Sequence, residues 1–467
     1  MRVRIFNLYQ NLPIAMLAVV ETVLILIAPL IVETLFYGAT FQQLFAHWPQ
    51  TLPKMLIYVL SCGLALTAMG LYSARQRART LGLLLRAMVA HVLAVAIFAF
   101  VSFFFIALRP EPGRVLAWAA VSFTLVVLAR IIEGVFIGED AFKRRVLVYG
   151  AGQRAQSLLQ LRRRSDQRGF LIVGYMPAPG EEVLVDPKKV LPNSAQELRR
   201  LSRELEVHEI VVAMDDRRRA FPVRELLDCR LNGVEVIDLV NFLERETGRV
   251  HLDVLNPSWI IFSEGFRRDA LRQTNKRAFD VLASVGLVLI TWPVMLLTML
   301  GIMLEDGLRA PIFYRQRRVG LDGHEFDVLK FRSMRVDAER DGKPRWASGS
   351  DDRVTRMGRI IRKVRIDELP QIFNVLRGDM SFVGPRPERP MFVAQLAESI
   401  PYYDERHCAK PGITGWAQVC YPYGSSEKDA IEKLQYDLYY VKNHSLFFDM
   451  MILLQTVEVV LLGKGGR

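Results

Sequence analysis

Cysteine and histidine are scarce in this chain, and neither falls into a pattern. Its four cysteines, Cys62, Cys229, Cys408 and Cys420, are scattered and form no CxxC pair. This argues against a disulfide framework and fits packing residues in a reducing compartment. The seven histidines show no metal-ligand spacing. No GxSxG sequence marks a hydrolase nucleophile. No segment resembles a nucleic-acid module, although the formal net charge is +12. The first apolar run is too long for a cleaved signal peptide and has no small-residue cleavage site.

What the chain has in abundance is long apolar runs. Of its 467 residues 51% are hydrophobic, and the mean hydropathy is +0.18. Runs near residues 12–35, 52–72, 83–108 and 115–137 are each long enough to cross a hydrocarbon core of about 30 Å. Arg2 and Arg4 precede the first run, and Arg75, Arg77, Arg79 and Arg86 lie between the second and third. Lys143, Arg144 and Arg145 follow the fourth, whereas the other loops carry only Lys54, Arg109 and Arg114. The positive-inside rule then predicts a four-helix transmembrane bundle over residues 1–140 with both ends in the cytoplasm. Glu21 and Glu33 fall at or near the first span. Snorkelling or helix pairing is the expected role, with a functional intramembrane acid as the alternative.

Residues 141–265 read as a soluble Rossmann-like α/β domain. Val146-Leu147-Val148-Tyr149 is a buried strand that runs into Gly150-Ala151-Gly152 and a helix. Apolar strands recur at 170–175, 209–213 and 234–239, which predicts a parallel sheet with right-handed crossovers. Gly150 and Gly152 are weak cofactor candidates. A dinucleotide site wants an acid at the end of the second strand, but that strand ends Tyr175-Met176-Pro177, and Glu181 and Glu182 come late. The domain is therefore expected to be degenerate, without NAD.

A fifth apolar run covers residues 280–304. Lys276 and Arg277 precede it, and Arg309, Arg315, Arg317 and Arg318 follow it. Positive flanks on both sides place both ends in the cytoplasm. Pro293 sits at its centre and is the expected turn of a re-entrant helix. The apolar stretch 446–462 carries Asp449, Gln455 and Glu458, and reads as an interfacial or core helix.

The most informative residues are Asp367 and Glu368, in Arg365-Ile366-Asp367-Glu368-Leu369-Pro370-Gln371. Asp367 suits an N-cap, Pro370 a first turn, and Gly378 a helix stop. A carboxylate held at a helix start among arginines is expected to stay ionised, able to attack phosphorus or hold a metal.

Around this pair stand Arg315-Gln316-Arg317-Arg318-Val319-Gly320, Lys330-Phe331-Arg332-Ser333-Met334, Gly384-Pro385-Arg386-Pro387 and Pro411-Gly412-Ile413-Thr414-Gly415-Trp416-Ala417-Gln418. The ordered set resembles the bacterial polyprenyl-phosphate glycosyl-1-phosphate transferases over about residues 272–467. The N-terminal architecture resembles their large, polytopic, exopolysaccharide-initiating branch. The resemblance implies a mostly α catalytic domain at 266–467. It implies transfer of a sugar 1-phosphate from a UDP-sugar to undecaprenyl phosphate, in a multi-pass protein of the bacterial inner membrane with its active site on the cytoplasmic face.

By resemblance Asp367 is the nucleophile of a covalent phosphosugar intermediate. Glu368 is a Mg²⁺ ligand or proton handler, with Asp367 also within the metal set. Arg362 and Arg386 are phosphate ligands. Arg365, Lys330, Arg332 and Gln418 are further substrate-binding candidates, and the segment 411–419 shapes a pocket unless its glycines are simple turn residues. Membrane lipid and a second copy of the chain, as a homodimer, are the other expected partners, and nucleic acid is not one. The alternative is a membrane-bound NAD-dependent oxidoreductase or nucleotide-sugar epimerase built on the glycine loop.

Overall fold

The computed structural model describes residues 2–461 except 6–7, 39–47, 73–79, 106–108, 110, 137–142, 162–168, 193–194, 217–220, 256–260, 262, 264, 266–269, 308–309, 336–352, 422–423 and 425. Arg75, Arg77, Arg79 and Arg309, used above to set topology, lie outside the described residues. The chain forms two units, Met1–Leu255 and Asn256–Arg467.

The first unit opens with a short antiparallel hairpin, β1 (Arg2–Ile5) and β2 (Leu8–Asn11), and then packs four apolar helices. These are α1 (Leu12–Leu35), α2 (Trp48–Ala68), α3 (Thr80–Phe104) and α4 (Pro112–Phe136). All four are long and apolar enough to cross a membrane. Their shared core holds Tyr58, Phe98 and Trp118, with the Tyr58 and Trp118 ring centroids 5.7 Å apart. The two acids of α1 are both paired with α4. Buried Glu21 accepts from Arg130 Nη2 at 3.0 Å and from the Tyr72 hydroxyl at 2.7 Å, and Glu33 meets Arg114 at 3.2 Å. Helix pairing is thus what these acids do, because an ion inside an apolar bundle is tolerable only when partnered.

The α/β part of this unit carries β3 (Arg144–Tyr149), α5 (Gln153–Gln156), β4 (Phe170–Met176), α6 (Ala195–Glu204), β5 (Glu209–Val212), α7 (Val223–Leu231), β6 (Glu235–Asp238) and α8 (Leu239–Thr247). The strands form one parallel sheet in the order β4-β3-β5-β6, as the alternating pattern predicts. Leu147, Ile210 and Met176 fill its core. An apolar run such as 146–149 suits a strand covered on both faces.

The second unit begins with α9 (Ala270–Asp306), a 37-residue helix with Pro293 inside. The helix is continuous, so the turn expected at Pro293 is not a loop. The missing N–H and ring of the proline allow at most a kink there. The hairpin β7 (Phe313–Val319) and β8 (Glu325–Phe331) follows, then α10 (Arg356–Lys363) and α11 (Gln371–Arg377). The strands β9 (Ser381–Val383) and β10 (Gly412–Thr414) pair in parallel on either side of α12 (Pro390–Ser399). The unit closes with α13 (Trp416–Cys420), α14 (Glu427–Asn443) and α15 (Leu446–Leu461). Phe448 and Ile452 of α15 are fully buried, and Asp449 is buried against Lys276 and the Tyr440 hydroxyl. This helix therefore contributes a core face.

Candidate active site

The acid pair sits on a turn that the sequence reading misassigned. Ile366–Glu368 is a single 3₁₀ turn, and α11 starts only at Gln371, with Pro370 at its N-cap position. Asp367 is thus not an N-cap. The Ile372 and Phe373 N–H groups donate instead to the Leu369 and Pro370 carbonyls, both at 3.0 Å, so the preceding turn takes the place of an acid cap. Arg365 precedes the turn with φ +60°, a left-handed conformation uncommon outside glycine. It reverses the chain between α10 and the acids. Gly378 ends α11 with φ +100°, as expected. Adjacent residues of a 3₁₀ turn point about 120° apart, so the two carboxylates face different surroundings.

Glu368 faces cations. Its Oε1 lies 2.9 Å from Lys330 Nζ and 3.0 Å from Arg386 Nη2, and its side chain is 13% exposed. Burial alone would raise its pKa, but Arg386 and Lys330 outweigh burial and hold it well below the usual carboxylate range. Burial lowers Lys330, and the Glu368 charge opposes that shift. Asp367 differs. Burial, and then the Glu368 charge, push its pKa up despite Lys330, Arg365 and Arg362. Lys330 and the arginines oppose this shift without overcoming it. Its Oδ1 is buried with no hydrogen-bond partner among the described residues. The turn thus holds one tightly ion-paired carboxylate beside one with an uncommitted oxygen.

The framework explains this convergence. Asn374 of α11 accepts from the Leu329 N–H at 3.0 Å and donates to the Asp327 carbonyl at 2.8 Å, which locks the acid turn to the strand bearing Lys330. Arg386 is fixed from behind. Arg318 donates to the Pro387 carbonyl at 3.0 Å, and the Val319 N–H donates to the Glu388 carbonyl at 2.9 Å. Arg406 Nη2 donates to the Arg386 carbonyl at 2.9 Å. Asn374, Arg318 and Arg406 are positioning residues that the motif reading passed over. Only the nearness of Asn374 and Arg318 to the motif residues hinted at them.

The remaining candidates are placed as follows. Arg362 and Arg365 act on Asp367 through charge. Arg332 has a buried Nη1 without a partner among the described residues. Gln418 donates to the Ile413 carbonyl at 3.4 Å, and its Oε1 is unpartnered. Neither Arg332 nor Gln418 is bonded to the acid pair among the described residues. Gly412 serves close backbone approach. A Cβ there would lie 2.1 Å from the Gly384 nitrogen, so β10 and the Pro385-Arg386-Pro387 segment can touch only through glycine.

The donor set suits Mg²⁺ in one form. Mg²⁺ takes one or two carboxylates and completes its shell with phosphate oxygens and water. Asp367, with its unpartnered buried oxygen, and Glu368 supply that pair. No cluster of three or more His, Cys, Asp or Glu that could hold a metal occurs among the described residues.

The glycine loop of the α/β part has the opposite character. Glu181 Oε2 accepts from the Ala151 N–H at 2.9 Å and the Ala178 N–H at 3.0 Å, and its Oε1 accepts from the Asp215 N–H at 3.1 Å. Asp215 accepts from the Gln153 N–H at 2.9 Å and the Arg154 N–H at 2.7 Å. These loop and helix-start N–H groups are the ones that would hold a cofactor diphosphate. They already hold the chain's own carboxylates. A Cβ on Gly152 would lie 2.0 Å from Asp215 Oδ2.

The comparisons with known proteins fit this picture. Residues 271–463 match the bacterial sugar transferase family, and the chain belongs to that family. Residues 67–226 match a family described as a CoA-binding domain, yet the occupied glycine loop does not fit a diphosphate-bearing cofactor. A UDP-glucose:undecaprenyl-phosphate glucose-1-phosphate transferase of Escherichia coli (strain K12) is 33% identical over 73% of this chain and 74% of its own length. A UDP-N-acetylgalactosamine-undecaprenyl-phosphate N-acetylgalactosaminephosphotransferase of Aeromonas hydrophila is 41% identical over 52% of this chain and 56% of its own. A UDP-glucose:undecaprenyl-phosphate glucose-1-phosphate transferase of Xanthomonas campestris pv. campestris is 32% identical over 68% and 66%. The chain thus spans only 56% and 66% of the last two relatives. None of these comparisons supports an oxidoreductase or epimerase.

Proposed function

We propose that this protein transfers a sugar 1-phosphate from a UDP-sugar to undecaprenyl phosphate, releasing UMP and forming undecaprenyl-diphosphate-sugar, the first membrane step of exopolysaccharide or capsule synthesis. The observation that carries this reading is the half-buried acid pair, with Glu368 clamped between Lys330 and Arg386 and Asp367 left with an uncommitted oxygen. Asp367 attacks the sugar-bearing phosphorus. The bond from that phosphorus to the UMP oxygen breaks, UMP leaves with the electron pair, and a phosphosugar remains on the carboxylate. A phosphate oxygen of the lipid then attacks the same phosphorus, and Asp367 is regenerated. Burial suits this role, since a poorly solvated carboxylate with a raised pKa is a better nucleophile.

Arg386 and Lys330 offset the charge of the diphosphate and hold Glu368 ionised, and Arg362 and Arg365 add positive potential at Asp367. Mg²⁺ bound at Asp367 and Glu368 would neutralise charge on the transferred and leaving phosphates. Arg332 and Gln418, each with a buried polar atom that has no hydrogen-bond partner among the described residues, are further substrate ligands in this reading. The test is donor alone. With labelled UDP-sugar and no lipid, the enzyme should release UMP stoichiometric with protein. If none appears until lipid is added, a direct transfer replaces the covalent step.

The reading goes with a topology in which the α/β part and the catalytic unit are cytoplasmic in the bacterial inner membrane, and with a homodimer as the working form. Support for the topology comes from α9. Near one end, Arg277 donates to the carbonyls of Val375 and Leu376, both at 2.6 Å. At the other, Glu305 accepts from the N–H groups of Arg356 and Met357 at 2.7 and 2.8 Å. A straight helix would part these ends by about 42 Å, more than the hydrocarbon thickness of about 30 Å. One polar domain that binds both ends favours a helix that enters and leaves on one side, bending near Pro293. Cysteines introduced near residues 275 and 312 should both resist a periplasmic thiol reagent. Labelling at 312 alone would mean a true span.

A further inference from the structure

A cavity of about 270 Å³ lies between α12, the turn Asp404–Cys408 and α14, outside the acid pair. Phe392, Leu396, Tyr403 and Leu434 give it an apolar and aromatic wall. Several of its polar side chains are already engaged. Arg406 binds Asp437 at 2.8 Å and the Tyr403 hydroxyl at 2.8 Å, Glu388 binds Arg318 at 3.3 Å, and Lys433 binds the Gly424 carbonyl at 2.7 Å. The Nε of Arg406 is buried and has no hydrogen-bond partner among the described residues. Such a lining suits a flat ring against its aromatic wall, with its acids as acceptors for a ring N–H or for hydroxyls. It suits a diphosphate poorly, because Glu388, Glu427 and Asp437 stand in the lining. The volume is near the lower end for ligand pockets, enough for a nucleoside but not a whole nucleotide sugar.

The cavity is joined to the acid pair through two arginines. Arg406 lines the cavity and holds the carbonyl of Arg386, whose guanidinium reaches Glu368. A ligand with its ring against Arg406 and its phosphates against the Arg386 guanidinium would span the length of one arginine side chain. We propose that this cavity binds the uracil ring and ribose of the donor, so that the diphosphate is delivered to the acid pair in register. The proposal rests on the transferase reading above. It assigns donor affinity to Phe392, Tyr403 and Ala430, residues remote from the chemistry.

The test uses full-length protein in detergent, with Ala430→Trp to fill the cavity and Phe392→Ala to remove a ring. Direct UMP binding is measured on each, built into Asp367→Asn protein so that no turnover intervenes. UMP affinity should fall about 10-fold, the loss of about 1.4 kcal/mol of ring contact. In the active background the donor KM should rise by a similar factor, with kcat reduced less and the lipid KM unchanged. UMP affinity equal to the parent in both variants, with the protein melting as before, overturns the cavity assignment. UMP affinity lost as expected upholds it even if no UDP-sugar gives a lipid product, an outcome that would sink the transferase reading alone.

Discussion

Two turns in this molecule each bring a pair of carboxylates to one place, and they use them in opposite ways. In the glycine loop, Glu181 and Asp215 accept hydrogen bonds from backbone N–H groups of their own chain, and a site shaped for an anion is filled from within. In the acid turn, Glu368 is held by side-chain cations, and Asp367 keeps a buried oxygen without a partner among the described residues. Buried polar groups are almost always satisfied, because leaving one unpaired costs about 1–3 kcal/mol. Glu209 Oε1 is likewise buried without a hydrogen-bond partner among the described residues, in an acid that holds Arg144 and Arg245 through its other oxygen. An uncommitted oxygen alone therefore marks no site, and Asp367 is set apart by the cations gathered around it and Glu368.

The sharpest way to break this comparison is to disable the uncommitted acid. Asp367→Asn keeps the shape and removes the nucleophile, so lipid product and donor-only UMP release should both vanish, a loss of at least about 10³-fold. UMP release at the parental rate would show that Asp367 is not the nucleophile. Glu368→Gln comes next. It leaves Lys330 and Arg386 facing a neutral amide, and activity should fall about 10²-fold with a weaker response to added Mg²⁺. A Glu368→Gln protein with the parental Mg²⁺ profile would remove Glu368 from the metal set.

How much of this was legible beforehand follows from what kind of interaction each feature rests on. The apolar helices and the parallel sheet were readable because they rest on a pattern within one segment: 146–149 and 210–212 are apolar throughout, and 12–35 is long. The candidacy of Asp367, Glu368, Lys330 and Arg386 came from resemblance, while their meeting depends on tertiary contacts. Asn374 tying α11 to β8 is one such contact, and no local pattern encodes it. The turn was misread because Arg365 takes a left-handed conformation that a β-carbon disfavours, so propensity pointed to a longer helix capped by Asp367. The upward shift at Asp367 was not legible for a similar reason. Arginines nearby in sequence suggested a charge effect, but burial, which depends on the whole fold, dominates.

The other side of the comparison predicts loss of stability with chemistry spared. Glu181→Gln and Asp215→Asn each replace a charged acceptor of backbone N–H groups with a weaker one, at a cost of about 1.5–3 kcal/mol each. Gly152→Ala drives a Cβ into Asp215 and should act in the same direction. Thermal midpoints should drop, while turnover per folded molecule, measured below the midpoint, should stay within about twofold. None of the three should create affinity for CoA or NAD. Stoichiometric CoA or a dinucleotide in the purified parent would mean that the acids yield the loop to a ligand, and the contrast between the two turns would collapse.

The smallest effect separates the two units by pH. His251 is buried beside Thr247, with Nε2 3.1 Å from the hydroxyl, and burial followed by Arg249 lowers its pKa to about 3. A folded pKa below the unfolded value of about 6.5 gives stability that is complete above 6.5 and lost as pH falls, because only the unfolded chain takes up the proton. His407 and His444, lowered to about 4, do the same in the catalytic unit. There Asp437 works against them. Burial, opposed by Arg406, pushes it up to about 6, so it costs stability above that pH, and the cost is relieved as pH falls. Such relief is absent at His251. Between pH 6.5 and 5.5 it should lose about 1 kcal/mol, and up to about 1.4 kcal/mol for each further unit. His251→Gln, which cannot titrate, should therefore shift less between pH 7.5 and 5.5 than the parent, by about 2–4 °C in midpoint. A parallel pair of melting curves would show that His251 titrates as freely in the fold as in the unfolded chain, and that its burial carries no proton-linked stability.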